Sequence, residues 1–146
     1  MSERVVAIEP LQPSRLREWV PIFIWAVVIF TFSTSGFSAD STARVISPIL
    51  RSLFSGISVA ALELGNSLIR KAAHFTEYGI LFWLLIRGPL KGRPLLAMAL
   101  CVGYALTDEG HQLFVVGRTA SIYDVALDST GAMFGGFLGA AVAEIL

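Results

Sequence analysis

The sequence predicts an all-α, membrane-embedded four-helix bundle with an additional amphipathic helix. Three observations predict it. The chain is 55% hydrophobic and only 15% charged over 146 residues, against about 25% charged for an average soluble domain. Its mean hydropathy is +0.71. Its apolar residues gather in four long runs, and a spanning helix needs about 20 mostly apolar residues. Formal net charge is zero, and no basic tail or aromatic-basic motif is present, so no nucleic-acid partner is expected. Cys101 is the lone cysteine. It can form no internal disulfide and reads as a small packing residue.

Residues 1–18 read as a cytoplasmic N-terminal segment and residues 19–146 as one membrane domain. The spans fall at about 19–37, 70–87, 94–115 and 121–146. The first run resembles the apolar region of a signal peptide, with Arg15 and Arg17 before it and Ser33 and Ser35 at the small-residue positions. Trp19, Trp25 and the continuation to Phe37 favour a retained helix. Pro94 suits a helix start, where its missing N–H would be unpaired anyway.

The linker, residues 38–69, carries Val45, Ile46, Ile49, Leu50, Leu53, Phe54 and Ile57 at helical spacing, on one face. It reads either as a helix lying on the bilayer or as one packed over the bundle mouth. Pro48 is expected to bend or break it. Arg4, Arg15 and Arg17, with Arg87, Lys91 and Arg93, fall on one side of a four-span topology. Their density in the short loop places both termini in the cytoplasm of a bacterial cell.

Chain direction then brings the ionisable residues together. Span one ends, span two begins, span three ends and span four begins on the outer side. Those four ends carry Ser33 and Ser35; Lys71, His74, Glu77 and Tyr78; Asp108, Glu109, His111 and Gln112; Arg118, Asp124 and Asp128. Ionisable groups at membrane depth cost roughly 2.5–3.5 kcal/mol each on insertion scales, so they mark function by default. Lys71, His74 and Tyr78 share one helical stripe. Tyr104, Asp108, His111 and Gln112 share another, and Glu109 points toward a different helix. The spacing of Gly131, Gly135 and Gly139 lets a neighbouring helix approach closely.

Several readings fit this outward-facing polar pocket. In the first, Lys71, Tyr78, Gln112, Arg118 and Asp124 bind an amphipathic or lipid-linked envelope component, the cations taking phosphate or carboxylate. Arg70 is an accompanying charge. In the second, the chain is a metal-assisted enzyme. His74, Glu77, Asp108 and Glu109 are its catalytic candidates, and His74, Glu77, Asp108 and His111 the set that would take a divalent metal. No HExxH, P-loop or GxSxG is present, and no cofactor is expected. In the third, the charges form a structural ion-pair network without chemistry. A proton-coupled transporter is disfavoured by the small number of spans and the lack of an internal repeat. Membrane lipids are expected partners, and the oligomeric state is open.

Arg70-Lys71-Ala-Ala-His74-Phe-Thr-Glu77-Tyr78 resembles the R-K-x-x-H-F-x-E-Y signature of the VanZ-like family. Asp108-Glu109-Gly-His111-Gln112-Leu-Phe114, followed by Gly117-Arg118-x-x-Ser121-x-x-Asp124, is similar to its second block. Gly131 and Gly135 fit its closing glycines. The resemblance covers about residues 19–140. It implies a bacterial multi-pass membrane protein, and the family is named for a member conferring resistance to the lipoglycopeptide teicoplanin. It implies no reaction. Asp128 stands where Asn is common in the family and Val116 where Pro is common. The extra acid alters the charge balance of the site.

Overall fold

A computed structural model describes residues 13–116 and 118–145. The segment before Pro13, with Arg4, lies outside the described residues, as do Gly117 and Leu146. Five α-helices follow one another: α1 (Pro13–Ser33), α2 (Ala39–Leu53), α3 (Val59–Arg87), α4 (Pro94–Gln112) and α5 (Ile122–Ile145). A single 3-10 turn, Ser35–Phe37, links α1 to α2. No strand occurs among the described residues.

The helix α3 is the hub. It packs most extensively on α5 and also meets α1, α2 and α4. Glycine sets the α3–α5 approach. A Cβ on Gly131 would strike the Phe75 carbonyl, and one on Gly135 the Gly79 carbonyl. A Cβ on Gly139 would lie 2.5 Å from Trp83 Cδ1. The two helices therefore run parallel, nearly backbone to backbone. Gly79 is the matching small residue on α3. The Phe75 and Phe134 rings close one side, with centroids 5.6 Å apart.

The helix α1 is tied on by two long-range bonds. Trp25 Nε1 donates to the Glu77 carbonyl at 2.8 Å, and Tyr104 Oη donates to the Ala26 carbonyl at 2.7 Å. The pairings make α1 parallel to α4 and antiparallel to α3. The core between them holds Ile22, Ile29, Tyr78, Leu81, Leu85, Cys101 and Ala105. Cys101 is buried and free.

The linker differs from expectation. It is not one amphipathic segment up to residue 69. The helix α2 stops at Leu53, Gly56 turns the chain with φ +81°, and α3 starts at Val59. The Ser58 side chain accepts from the Ala61 N–H and caps it. Pro48 sits inside a continuous α2. The 29 residues of α3 make it about 43 Å long at 1.5 Å per residue. Its first turns pair with α2. Asn66 Nδ2 donates to the Ala39 carbonyl at 3.0 Å.

One described helix, α1 over Leu16–Ser33, is long and apolar enough to cross a membrane, with mean hydropathy 1.5. In α3 and α4 the ionisable residues of the two blocks lower that mean.

Candidate functional site

The N-terminal half of α3, the last turn of α4, the first turns of α5 and the loop between α4 and α5 enclose a cavity of about 450 Å³. From α3 come Ser67, Arg70, Lys71 and His74, at helical spacing that turns all four one way. Glu109 and Gln112 come from the last turn of α4. The loop supplies Arg118, Thr119 and Ser121, and α5 supplies Tyr123, Asp124 and Leu127. Both blocks of the sequence signature thus face one space.

Some of these residues hold the bundle together. Gln112 Nε2 donates to Ser33 Oγ at 2.9 Å and to Asp108 Oδ2 at 3.2 Å. Ser33 is fully buried, and Gln112 and Asp108 nearly so. Glu109 Oε2 accepts the Ser121 N–H at 2.7 Å, which fixes the loop entering α5. Arg118 Nη2 donates to the Phe37 carbonyl at 2.9 Å and also to the Phe32 carbonyl. A cation there satisfies one carbonyl in the last turn of α1, where the helix dipole is negative, and the carbonyl that ends the 3-10 turn. Burial, then the Arg70 charge, draws the Arg118 pKa below the usual arginine value. The guanidinium stays cationic.

Other residues are free to meet a ligand. Lys71 Nζ lies 3.2 Å from Asp124 Oδ1, with the lysine side chain 52% exposed. An ion pair that open is worth about 0–1 kcal/mol, so a stronger anion displaces it readily. Arg70 belongs to neither ion pair found among the described residues. It lines the main cavity, a smaller one of about 160 Å³ shared with Phe32, Phe37, Glu77 and Arg118, and a third of about 490 Å³ between α2 and α3. From the sequence Arg70 reads as a minor charge beside Lys71 and Arg118. In the structure it is the cation at the junction of three cavities.

Behind the cavity lies a buried set of acids. Asp128 is fully buried, and neither of its oxygens has a hydrogen-bond partner. His74 Nδ1 stands 3.7 Å from Asp128 Oδ1, too far for a hydrogen bond. Glu77 Oε2, Tyr78 Oη and Asp108 Oδ1 are buried and unpartnered too. Tyr78 has no exposed surface and stands behind the cavity rather than in its wall. Its ring centroid is 6.2 Å from that of Tyr104.

The structure gathers Lys71, His74, Glu109, Gln112, Arg118 and Asp124 around the main cavity. It places Glu77 in the smaller one, with Asp108 and Tyr78 in the interior. His111 is elsewhere: its ring packs on Phe30 of α1, with centroids 4.8 Å apart. The set of His74, Glu77, Asp108 and His111 does not converge. Among the described residues no three His, Cys, Asp or Glu side chains are grouped to hold a metal ion. Sequence reasoning did not foresee the roles of Ser33 and Asp128.

A family model described as VanZ/LLP1 matches residues 19–143. No curated protein and no solved structure matches the chain.

Proposed function

The chain belongs to the VanZ/LLP1 family, and from that premise we propose that it is a four-span membrane protein whose outward-facing cavity binds an amphipathic, anionic envelope component. One observation carries the reading. The cavity is built from both signature blocks, and of the cations in its wall Arg70 has no ion-pair partner among the described residues and Lys71 is held only by an open one. Glu109 holds Ser121, Asp124 holds Lys71, and Arg118 holds two carbonyls. The spare binding capacity is therefore cationic.

The surface supports membrane embedding beyond α1. Phe23, Ile24 and Val27 of α1, Leu95 and Leu106 of α4, and Phe137 and Leu138 of α5 are each at least half exposed. Soluble monomers rarely show contiguous apolar patches of more than a few hundred Å². Val45, Ile49 and Leu53 line an exposed stripe on α2, as an interfacial helix requires. Leu113, Phe114 and Val116 expose a further apolar tip at the cavity mouth. In this arrangement the helix ends with Arg87, Lys91 and Arg93 face the cytoplasm. A lipid-linked precursor and a lipoglycopeptide of the teicoplanin kind are both amphipaths of the proposed description.

Native mass spectrometry of gently purified protein tests the reading. A co-purifying amphipath should stay on the parent protein and be lost from Arg70→Ala. The same species at the same occupancy on both would remove the cavity as the binding site.

A further inference from the structure

The space of about 490 Å³ between α2 and α3 has walls of its own chemistry. Asp40 and Arg51 line it from α2, Glu63 and Asn66 from α3. It shares Ser67 and Arg70 with the polar cavity, and its other wall residues do not line that cavity.

Two contacts fix how α2 lies. A Cβ on Gly65 would meet Leu50 Cδ1 at 2.9 Å, and Asn66 Nδ2 donates to the Ala39 carbonyl at 3.0 Å. Ala39 and Leu50 are about 16 Å apart along a helix, yet they reach adjacent residues of α3. The helix α2 therefore crosses α3 rather than running along it. Where α3 spans the bilayer, α2 then lies along the membrane surface. Its two faces are sorted. Asp40, Ala43, Ser47 and Arg51 recur every three or four residues on the side of the space. Val45, Ile49 and Leu53 fall on the opposite side and are exposed. The apolar face is turned outward to lipid, and the polar face roofs the space at the depth of the headgroups.

The wall has binding capacity of both signs. Asp40, Glu63, Arg51 and Arg70 form no ion pair among the described residues. Asn66 is only 7% exposed. Its Nδ2 is spent on Ala39, and its Oδ1 has no partner. A buried amide oxygen without a donor is costly. Two acids balance two arginines, so the wall suits a ligand that carries both charges and no net charge. The acids and the Asn66 oxygen are acceptors, and a primary ammonium offers three donors and no acceptor. Arg51 supplies the fork for a phosphate. A quaternary ammonium is recognised by aromatic cages, and no aromatic side chain lines this space.

Resting on the membrane reading above, we infer that the space between α2 and α3 is a second lipid site, which takes a zwitterionic phospholipid headgroup with a primary ammonium. The ammonium meets Asp40, Glu63 and Asn66, and the phosphate meets Arg51. Arg70, at the shared edge, stays with the polar cavity.

The test uses the full chain in mild detergent, titrated with phosphatidylethanolamine, phosphatidylcholine and phosphatidylglycerol of the same acyl chains. Retained lipid is counted by native mass spectrometry. Phosphatidylethanolamine should be retained several-fold more than either of the others. Asp40→Asn with Glu63→Gln should bring it down to the level of phosphatidylcholine. Both residues are exposed, so the variant keeps its core. Equal retention of the ethanolamine and choline lipids would overturn the inference. Phosphatidylglycerol held more tightly than phosphatidylethanolamine would make the space an anion site and overturn it too. A preference that survives the double substitution would put the lipid elsewhere. Free phosphoethanolamine held as tightly as the lipid would make the ligand a soluble one and overturn the lipid site. Neither substituted residue lines the polar cavity, and the comparison does not depend on a co-purifying amphipath. Its failure is therefore separate from a failure of the cavity reading, which Arg70→Ala tests.

Discussion

Gln112 Nε2 donates to Ser33 Oγ at 2.9 Å, across 79 residues of sequence and out of reach of solvent. The bond ties the C-terminal end of α4 to that of α1, and both residues are buried. With Glu109 on Ser121 and Arg118 on Phe32 and Phe37, it forms a latch around the cavity. The sequence signature thus divides into residues that hold these helix ends together and residues that face the cavity between them.

Ser33→Ala removes one partner of the latch and leaves Gln112 with Asp108. A buried hydrogen bond contributes about 0.5–1.5 kcal/mol net. Chemical unfolding in mild detergent should show a loss of about 1 kcal/mol. An unchanged midpoint would mean that Gln112 finds its stability elsewhere.

The glycine contact of α3 and α5 predicts a sharp contrast. Gly135→Ala drives a methyl into the Gly79 carbonyl, and backbone cannot yield as a side-chain tip can. The expected cost is about 1–3 kcal/mol of overpacking. Gly103 on α4 has nothing within 4 Å of its would-be Cβ. Gly103→Ala should be neutral or stabilise the helix by about 0.5–1 kcal/mol. Equal effects from the two variants would contradict the close approach.

Asp128 is buried without a hydrogen bond to either oxygen. A carboxylate without a hydrogen bond in such a place is costly. Asp128→Asn should therefore unfold no earlier than the parent protein at neutral pH. A midpoint lowered by more than about 1 kcal/mol would show that the carboxylate is engaged in the folded protein.

The proposed topology can be read from outside the cell. In a Cys101→Ala background, Ser55→Cys should react with a membrane-impermeant maleimide on intact cells. Lys91→Cys should react only after permeabilisation. The reverse pattern, or both positions reacting from one side, would overturn the orientation.

Much of this site was legible in the sequence, because alternating helix direction alone brings the ends carrying Ser33, Lys71, Gln112 and Asp124 together. A close helix approach to α5 was legible too, since the fourfold spacing of Gly131, Gly135 and Gly139 has a direct steric meaning, but its partner α3 was not. The start of α3 was not. Residues 59–69 continue the apolar periodicity of the linker, and only Gly56 and Ser58 mark the boundary. The work of Arg118 was hidden for a different reason. Its partners are backbone carbonyls of Phe32 and Phe37, more than 80 residues earlier, and carbonyls leave no trace in residue identity. His111 shares a helical face with Asp108 by spacing, yet it turns to Phe30 because α1 packs there.

The division of the signature is tested most directly by thermal unfolding of Arg118→Ala beside Arg70→Ala in the same detergent. Hydrogen bonds from a charged donor are worth about 1.5–3 kcal/mol, so Arg118→Ala should unfold well below the parent protein. Arg70→Ala should stay within about 0.5 kcal/mol of it, as a substitution away from structural partners does. If Arg70→Ala unfolds as early as Arg118→Ala, or if Arg118→Ala matches the parent, the separation of latch from cavity lining is wrong.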